Sequence, residues 1–131
     1  MKHALSLIAP ITVLAGTLAF TAPAFAKQDK DAWKAAKPSG KPESCIHLPQ
    51  IRESRVRDDR TIDFYMTGGK VYRSTLPHSC PQLGFEKRFS YKTSLSQLCS
   101  TDIITVLTSP GVTPGASCGL GQFQPVTGAG K

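Results

Sequence analysis

Histidine side chains bind metals and act as general bases in many proteins. In this chain, the histidines do not have the spacing that is typical of a metal site. His47 and His78 belong to no His-x-Glu-x-x-His or comparable pair, so the sequence indicates no histidine metal site. The spacing Gly115-x-Ser117-x-Gly119 occurs, but residues 117–123 are predicted to be a strand, so we predict no strand-to-helix turn that would expose a nucleophilic serine as in acyl-transfer enzymes. We therefore predict no catalytic residue, no metal ion and no cofactor.

Aspartates provide the alternative hypothesis, a small enzyme that acts on envelope material through carboxylates. Asp58 and Asp59 are adjacent, but neighbouring side chains on a tight turn point apart, and arginines flank both. A turn is therefore the preferred interpretation. Asp102 precedes an apolar run, where partial burial would raise its pKa; its other possible role is to accept a hydrogen bond from a backbone amide. Asp63 is the remaining candidate.

The segment Gly119-Leu120-Gly121 resembles a phosphate-binding loop in part. It has no third glycine at the dinucleotide spacing, no following lysine and no helix signal after it. We interpret these glycines as a bulge or a sharp bend in a strand.

Basic and aromatic residues are concentrated on three neighbouring predicted strands, and Arg52 and Lys70 belong to this group. Arginine beside tyrosine suits acidic polymers, anionic lipid headgroups or single-stranded nucleic acid, and the export signal described below argues against nucleic acid. Strand alternation predicts Arg73 on the face of Phe64, and Arg55 and Arg57 on the opposite face with Tyr65, so an ordinary solvated surface is the alternative. The predicted binding face consists of Arg55, Arg57, Arg60, Tyr65, Tyr72 and Arg73.

Four cysteines, an even number, are typical of two disulfides in an exported protein. Zinc sites bring their ligands in close pairs, whereas these cysteines are widely spaced. Three pairings are possible; we predict that one disulfide closes a loop-rich stretch and the other joins the ends of the domain. The predicted pairs are Cys80–Cys99 and Cys45–Cys118.

Residues 1–26 have the features of a signal peptide. A positive start is followed by an apolar stretch and by a small-x-small exit that ends at Ala26. We predict cleavage after Ala26, no transmembrane segment after cleavage, and a periplasmic or secreted protein.

The rest of the 131-residue chain has room for one small domain. Residues 27–44, rich in lysine and proline, are predicted to be a flexible linker, and 45–131 a single β domain. The chain has 16 basic and 9 acidic residues, for a net charge of +7. This ordinary globular composition does not indicate disorder.

Alternation predicts a hairpin around Gly68-Gly69, because both central positions of a type I′ turn need positive φ. A two-residue loop would pair Met66 with Val71, Tyr65 with Tyr72 and Phe64 with Arg73. A preceding strand, 51–57, is expected to pair through a three-residue loop that sets Val56 against Ile62 and Arg55 against Asp63. That loop is expected to include a left-handed residue, a conformation that Asp tolerates.

Further elements are predicted along the rest of the chain. They are a short strand at 89–91, a helical turn at 94–99 capped by Ser94 and Gln97, a central strand at 102–107, a Pro/Gly-rich loop at 108–116 and a last strand at 117–123. The predicted fold is mostly β: a small antiparallel barrel or curled sheet of five to six strands with one short helix, stapled by disulfides.

Several segments together resemble an uncharacterised family of small exported bacterial proteins, a domain of unknown function. The resemblance implies export and a compact cysteine-containing domain over residues 45–126, and it supplies no functional residue. The segments are Ile51 to Ile62, Gly69-x-Val71-Tyr72, Cys80-Pro-x-Leu83, Ser94-Leu-x-x-Leu98-Cys99-x-x-Asp102 and Ser117-Cys118-Gly-Leu-Gly121-x-Phe123.

The leading functional hypothesis is a monomeric, non-catalytic binding module for a protein or an anionic envelope polymer. An inhibitor of an extracytoplasmic hydrolase is one version, in which the loop 108–116 would insert into the enzyme. The carboxylate enzyme described above is the alternative from another class, and a purely structural factor is a third.

Overall fold

The computed structural model describes residues 29–130, so the predicted signal peptide and its cleavage site lie outside the described residues. The chain is mostly β, as predicted, with more strands than expected because several have only two or three residues. It has one α-helix, α1 (Leu83–Glu86), and two 3-10 helices, Ala32–Ala35 and Leu48–Gln50. The strands are β1 (Lys37–Pro38), β2 (Cys45–His47), β3 (Ile51–Val56), β4 (Thr61–Met66), β5 (Val71–Thr75), β6 (Phe89–Tyr91), β7 (Gln97–Cys99), β8 (Ile103–Thr108), β9 (Thr113–Gly119) and β10 (Phe123–Thr127).

Five antiparallel strands form the larger sheet, in the order β1-β10-β5-β4-β3. Two smaller antiparallel sheets consist of β2-β7 and β6-β8-β9. One buried cluster contains residues of all three sheets, and within it the Phe64 ring meets the Phe123 ring edge to face at 5.6 Å between centroids. The strands of the described residues form no closed barrel, and the curled-sheet form of the prediction fits.

The register of β3 against β4 is confirmed. Arg55 lies opposite Asp63, and Val56 lies opposite Ile62. The loop has the expected three residues, closed by the Arg57 amide on the Thr61 carbonyl at 2.8 Å. The left-handed residue expected in it is absent, since among non-glycine residues of 29–130 only two, both in or near α1, have positive φ.

The turn between β4 and β5 is one residue longer than predicted. Gly68 and Gly69 have positive φ of 91° and 89°, as expected. Thr67 also belongs to the loop, because the Met66 amide donates to the Lys70 carbonyl at 2.8 Å. The predicted pairs Met66–Val71, Tyr65–Tyr72 and Phe64–Arg73 are therefore wrong, and the structure pairs Tyr65 with Val71, Phe64 with Tyr72 and Asp63 with Arg73.

This shift changes the face on which Arg73 lies. A one-residue slip between paired strands turns every side chain to the other face. Arg73 therefore shares a face with Asp63 and Tyr65, not with Phe64 as the two-residue loop predicted. The larger sheet gains a set of charged and aromatic side chains on the face away from its apolar core.

Both predicted disulfide pairs are wrong, because the fold brings other cysteines together. Cys45 of β2 lies directly opposite Cys99 of β7, with 4.0 Å between the Cα atoms, and the two are bonded. Cys80 is buried in the core and bonds Cys118 of β9. The two-disulfide framework itself is confirmed.

Three further elements differ from the prediction. Residues 97–99 form β7 instead of a helical turn, since β2 and the disulfide hold them extended. Most of the predicted loop 108–116 is strand, because β8 and β9 pair up to Thr108 and Thr113. The predicted last strand, 117–123, is divided between β9 in the small sheet and β10 in the larger one.

The described part of the predicted linker, 29–44, contacts the larger sheet. β1 pairs with the end of β10, setting Pro38 against Val126. The backbones of Glu43 and Phe123 exchange two hydrogen bonds, of 2.9 and 2.8 Å. These bonds place the preceding 3-10 helix, Ala32–Ala35, beside the polar face of the sheet, where Trp33 contacts Arg73.

Candidate functional site

Asp63 lies at the centre of the polar face of the larger sheet, with its side chain fully buried. Arg73 donates through Nε to Oδ1 at 2.7 Å and through Nη2 to Oδ2 at 2.9 Å. Arg57 donates through Nε to Oδ2 at 2.8 Å. Two guanidinium groups on one carboxylate leave a net positive charge in a nearly closed position, since each arginine side chain is 13% exposed.

The two ends of the described chain cover this group, which we call the Asp63 network. Arg57 Nη2 donates to the Tyr65 hydroxyl at 2.6 Å and to the Ala129 carbonyl at 3.0 Å. Arg73 Nη2 donates to the Trp33 carbonyl at 2.9 Å, and its guanidinium lies 5.2 Å from the Trp33 ring centroid. The Tyr65 hydroxyl donates to the Gly130 carbonyl. The network therefore holds residues 33 and 129–130 on the sheet.

Arg60 and Tyr72 of the predicted binding face are also bound within the molecule. Arg60 donates to the Leu76 carbonyl at 3.1 and 3.2 Å. The Tyr72 hydroxyl donates to a Glu43 carboxylate oxygen at 2.8 Å, and Lys70 lies over the Tyr72 ring at 4.7 Å. Contact with the Tyr72 hydroxyl, and then with Glu43, raises the pKa of Lys70. The structure therefore does not bring the six predicted residues together as one outward surface.

An outward basic surface does follow the edge strand β3, and Arg55 lies at its middle. One open cleft of about 350 Å³ is lined by Arg52, Glu53, Arg55 and Tyr65. A second, of about 280 Å³, is lined by Ser54, Arg55, Val56, Arg57 and Lys87. We call the two together the β3 cleft. It contains four basic side chains and one carboxylate, that of Glu53.

Arg55 is held in place by two neighbours. Its guanidinium lies 5.0 Å from the Tyr65 ring centroid and contacts Glu53 through Nε at 2.6 Å and Nη2 at 3.2 Å. These hydrogen bonds lower the pKa of Glu53 and raise that of Arg55. Sequence reasoning identified Arg55 and Tyr65 but did not include Lys87, because that residue reaches the cleft from the end of α1, far along the chain.

Apart from Asp63, which binds two arginines, the candidate catalytic aspartates accept hydrogen bonds from backbone amides. Asp58 accepts from the Arg60 amide at 2.8 Å, Asp59 from the Gly84 amide at 2.7 Å and Asp102 from the Cys99 amide at 2.7 Å. Within residues 29–130, no group of three or more His, Cys, Asp or Glu side chains is placed to hold a metal ion.

Glycine is required at Gly121 by a close backbone approach, in the link between β9 and β10. A Cβ atom there would overlap the Thr75 carbonyl oxygen. The Ser74 hydroxyl bridges the Gly121 backbone, donating to its carbonyl at 3.0 Å and accepting from its amide at 3.1 Å. Gly121 therefore allows the chain to pass between the two sheets.

A cleft between the segment before α1 and β9 was also not found by sequence reasoning. It has a volume of about 270 Å³ and lies between Pro77, His78, Ser79 and Pro81 on one side and residues 116–119 of β9 on the other. We call it the β9 cleft. The signal that could have identified it is the absence of any charged residue between 103 and 130.

Comparison with protein-family models, with curated proteins and with solved structures finds no match to this chain. The resemblance to a family of small exported bacterial proteins therefore stays a prediction. No helix in the described part of the chain is long and apolar enough to cross a membrane.

Proposed function

We propose that this chain is an exported, non-catalytic module that binds an anionic polymer of the cell envelope through the β3 cleft. The observation that carries the proposal is the charge of this cleft. Arg52, Arg55 and Lys87 line it beside one carboxylate, that of Glu53, and its fourth basic residue, Arg57, is paired with Asp63. Clefts lined by one sign of charge concentrate the field and attract ligands of the opposite sign.

The form of the cleft favours an extended ligand. Its two parts share Arg55 and follow the outer strand of the sheet, so both are open to solvent along one edge. Arginine can bind carboxylate, sulfate or phosphate groups through two parallel hydrogen bonds. A polymer with repeated anionic groups could contact both parts at once, which no compact ligand would do.

Export is the second part of the proposal. The signal sequence of residues 1–26 supports it, and two disulfides are compatible with an oxidising compartment. Amino-terminal sequencing of the protein recovered from the cell exterior or periplasm tests it. The expected first residue is Lys27, whereas recovery only from the cytoplasm, starting at Met1, would contradict export.

Binding is tested with heparin oligosaccharide as the probe, because its sulfate groups keep their charge over a wide pH range. The variant carries Arg52→Ser and Lys87→Ser. The charge-matched control carries Lys30→Ser and Lys41→Ser, two exposed residues outside the cleft. If each exposed contact contributes about 0.5 kcal/mol, the variant should bind about fivefold more weakly than the control.

Calorimetric titration at several salt concentrations distinguishes a site from general attraction. We expect the variant to lose affinity and salt dependence together, while the control keeps the affinity of the native chain. An equal loss in both would show that only the net positive charge of the protein attracts the polymer, and the β3 cleft would not be the site.

A hydrolase inhibitor is a second candidate, favoured by the tip of the β8–β9 hairpin. Val112 is 69% exposed there. The tip is braced because Glu86 accepts from the Ser109 amide at 3.2 Å, and Arg88 donates to the Ser109 hydroxyl at 2.7 Å. Inhibition of a panel of extracellular hydrolases, lost in Val112→Asp and kept in Val112→Ile, would support it; no inhibition at all would dismiss it.

A further inference from the structure

The charge of this protein is segregated along its chain. The net charge is +7, yet no residue between 103 and 130 is charged. These residues include all of β8, β9 and β10. Of the three, β9 is the one at an edge, since it pairs with β8 alone.

Exposed sheet edges pair readily with other chains, and proteins protect them with charge, proline, bulges or shortness. The other edge strands of the two larger sheets have such protection. β3 carries the charged residues Arg52, Glu53 and Arg55, β1 has only two residues, and β6 is flanked by Arg88 and Lys92. β9 has seven residues and no charge. Pro114 and a register shift protect its first part, so the open stretch runs from 115 to 119.

The β9 cleft lies along this open stretch. Residues 116–119 form one wall and the segment 77–81 forms the other. The disulfide between Cys80 and Cys118 joins the two walls, which fixes their separation. A preformed cleft beside an open strand lowers the cost of ordering an incoming segment.

We propose that β9 binds an extended segment of a partner protein by strand addition, so that the segment becomes the fourth strand of the small sheet. In an antiparallel sheet, alternate residues of a strand direct their amide and carbonyl groups to one neighbour and the rest to the other. In β9, the residues whose amide and carbonyl groups point away from β8 supply main-chain hydrogen bonds to the partner segment. The β9 cleft selects the side chains of that segment, as in other strand-addition complexes.

The charges of this edge define the partner. The inserted part is uncharged, because no aspartate, glutamate, lysine or arginine lines the cleft. Its flanks are acidic, since the rest of the molecule is basic and would repel a basic chain. The same net charge disfavours a second copy of this protein as the occupant. The site is separate from the β3 cleft and does not depend on it.

The experiment uses the oxidised chain from residue 27, immobilised, and a displayed library of random linear peptides as the probe. Gly119 suits the edge-blocking variants, because a Cβ there meets no atom within 4 Å and its φ is not left-handed. Gly119→Lys places a positive charge in the cleft, and Gly119→Glu places a negative charge there. Thr127→Lys and Thr127→Glu are the matched controls, at an exposed position of β10 outside it.

We expect enriched peptides with short uncharged centres and acidic flanks. Their affinity should fall about tenfold in both Gly119 variants and stay unchanged in both Thr127 variants. In ¹⁵N spectra, their binding should shift the amides of 115–119. Heparin binding, which tests the β3 cleft, should be the same in all four variants. A failure of strand addition at β9 is therefore distinguishable from a failure of the proposed function.

Three outcomes would overturn the inference. The first is that no peptide is enriched above background. The second is that Gly119→Lys strengthens and Gly119→Glu weakens binding, which would mean attraction by charge instead of strand addition. The third is that the native chain dimerises in sedimentation and both Gly119 variants are monomers, which would make a second copy the occupant.

Discussion

Arg73 contacts Asp63 through two parallel hydrogen bonds, with Nε 2.7 Å from Oδ1 and Nη2 2.9 Å from Oδ2. This paired geometry is the strongest form of an arginine–carboxylate contact. Arg57 adds a third hydrogen bond at 2.8 Å, and the carboxylate has no exposed surface. The integrity of the polar face of the larger sheet therefore depends on one negative charge.

Replacing that charge should destabilise the fold strongly. Asp63→Ala leaves two arginines, each 13% exposed, without their carboxylate, and breaking a buried ion pair in this way costs about 3–5 kcal/mol. Urea denaturation with both disulfides intact measures the free energy of unfolding. The matched control is Asp31→Ala, which removes an exposed partner of Lys34 and should change little. Equal losses in the two variants would contradict a structural role for the Asp63 network.

Sequence reasoning located most strands of the larger sheet but not this network. Alternation set Arg55 against Asp63, and the structure confirms it. Arg73 was placed on the wrong face because a glycine pair suits both two-residue and three-residue loops, and the inclusion of Thr67 changes the register. The choice is decided by the gain from placing Arg73 beside Asp63, which is a tertiary interaction.

The disulfide pairing was predicted wrongly for a related reason. Cys45 and Cys99 meet only because β2 pairs with β7, and their separation of 54 residues gives no local signal. Cys80 meets Cys118 because the segment before α1 lies beside β9, across the β9 cleft. Long-range contacts of the folded chain decide both bonds, whereas composition decides only that two bonds form.

Peptide mapping without reductant checks these bonds. Trypsin together with a protease that cuts before aspartate separates Cys99, in fragment 93–101, from Cys118, in fragment 102–131. We expect fragment 93–101 linked to 35–52, which contains Cys45, and fragment 102–131 linked to 74–87, which contains Cys80. A link between 74–87 and 93–101 would instead show the pairing predicted from sequence and would contradict this structure.

The two glycines beside Leu120 should respond differently to substitution. A Cβ at position 121 overlaps the Thr75 carbonyl, which is backbone and cannot rotate away, so Gly121→Ala should cost about 1–3 kcal/mol. Gly119→Ala is the matched control; its Cβ meets nothing within 4 Å, so the change should stay within about 0.5 kcal/mol. Thermal unfolding of both variants gives the comparison. Similar melting temperatures would mean that the passage between the sheets is not tight.

Polymer binding at the β3 cleft should depend on pH through Glu53, the single carboxylate that lines it. Hydrogen bonds from Arg55 lower the pKa of Glu53, so it keeps its negative charge until the pH falls below the ordinary range of glutamate. Protonation then removes the charge that opposes an anionic ligand and releases Arg55 to bind it. Heparin affinity should therefore rise as the pH falls through this lowered pKa. Glu53→Gln should bind heparin more tightly at neutral pH, and its affinity should no longer rise as the pH falls. If the affinity of this variant still rises, the pH dependence belongs to another group.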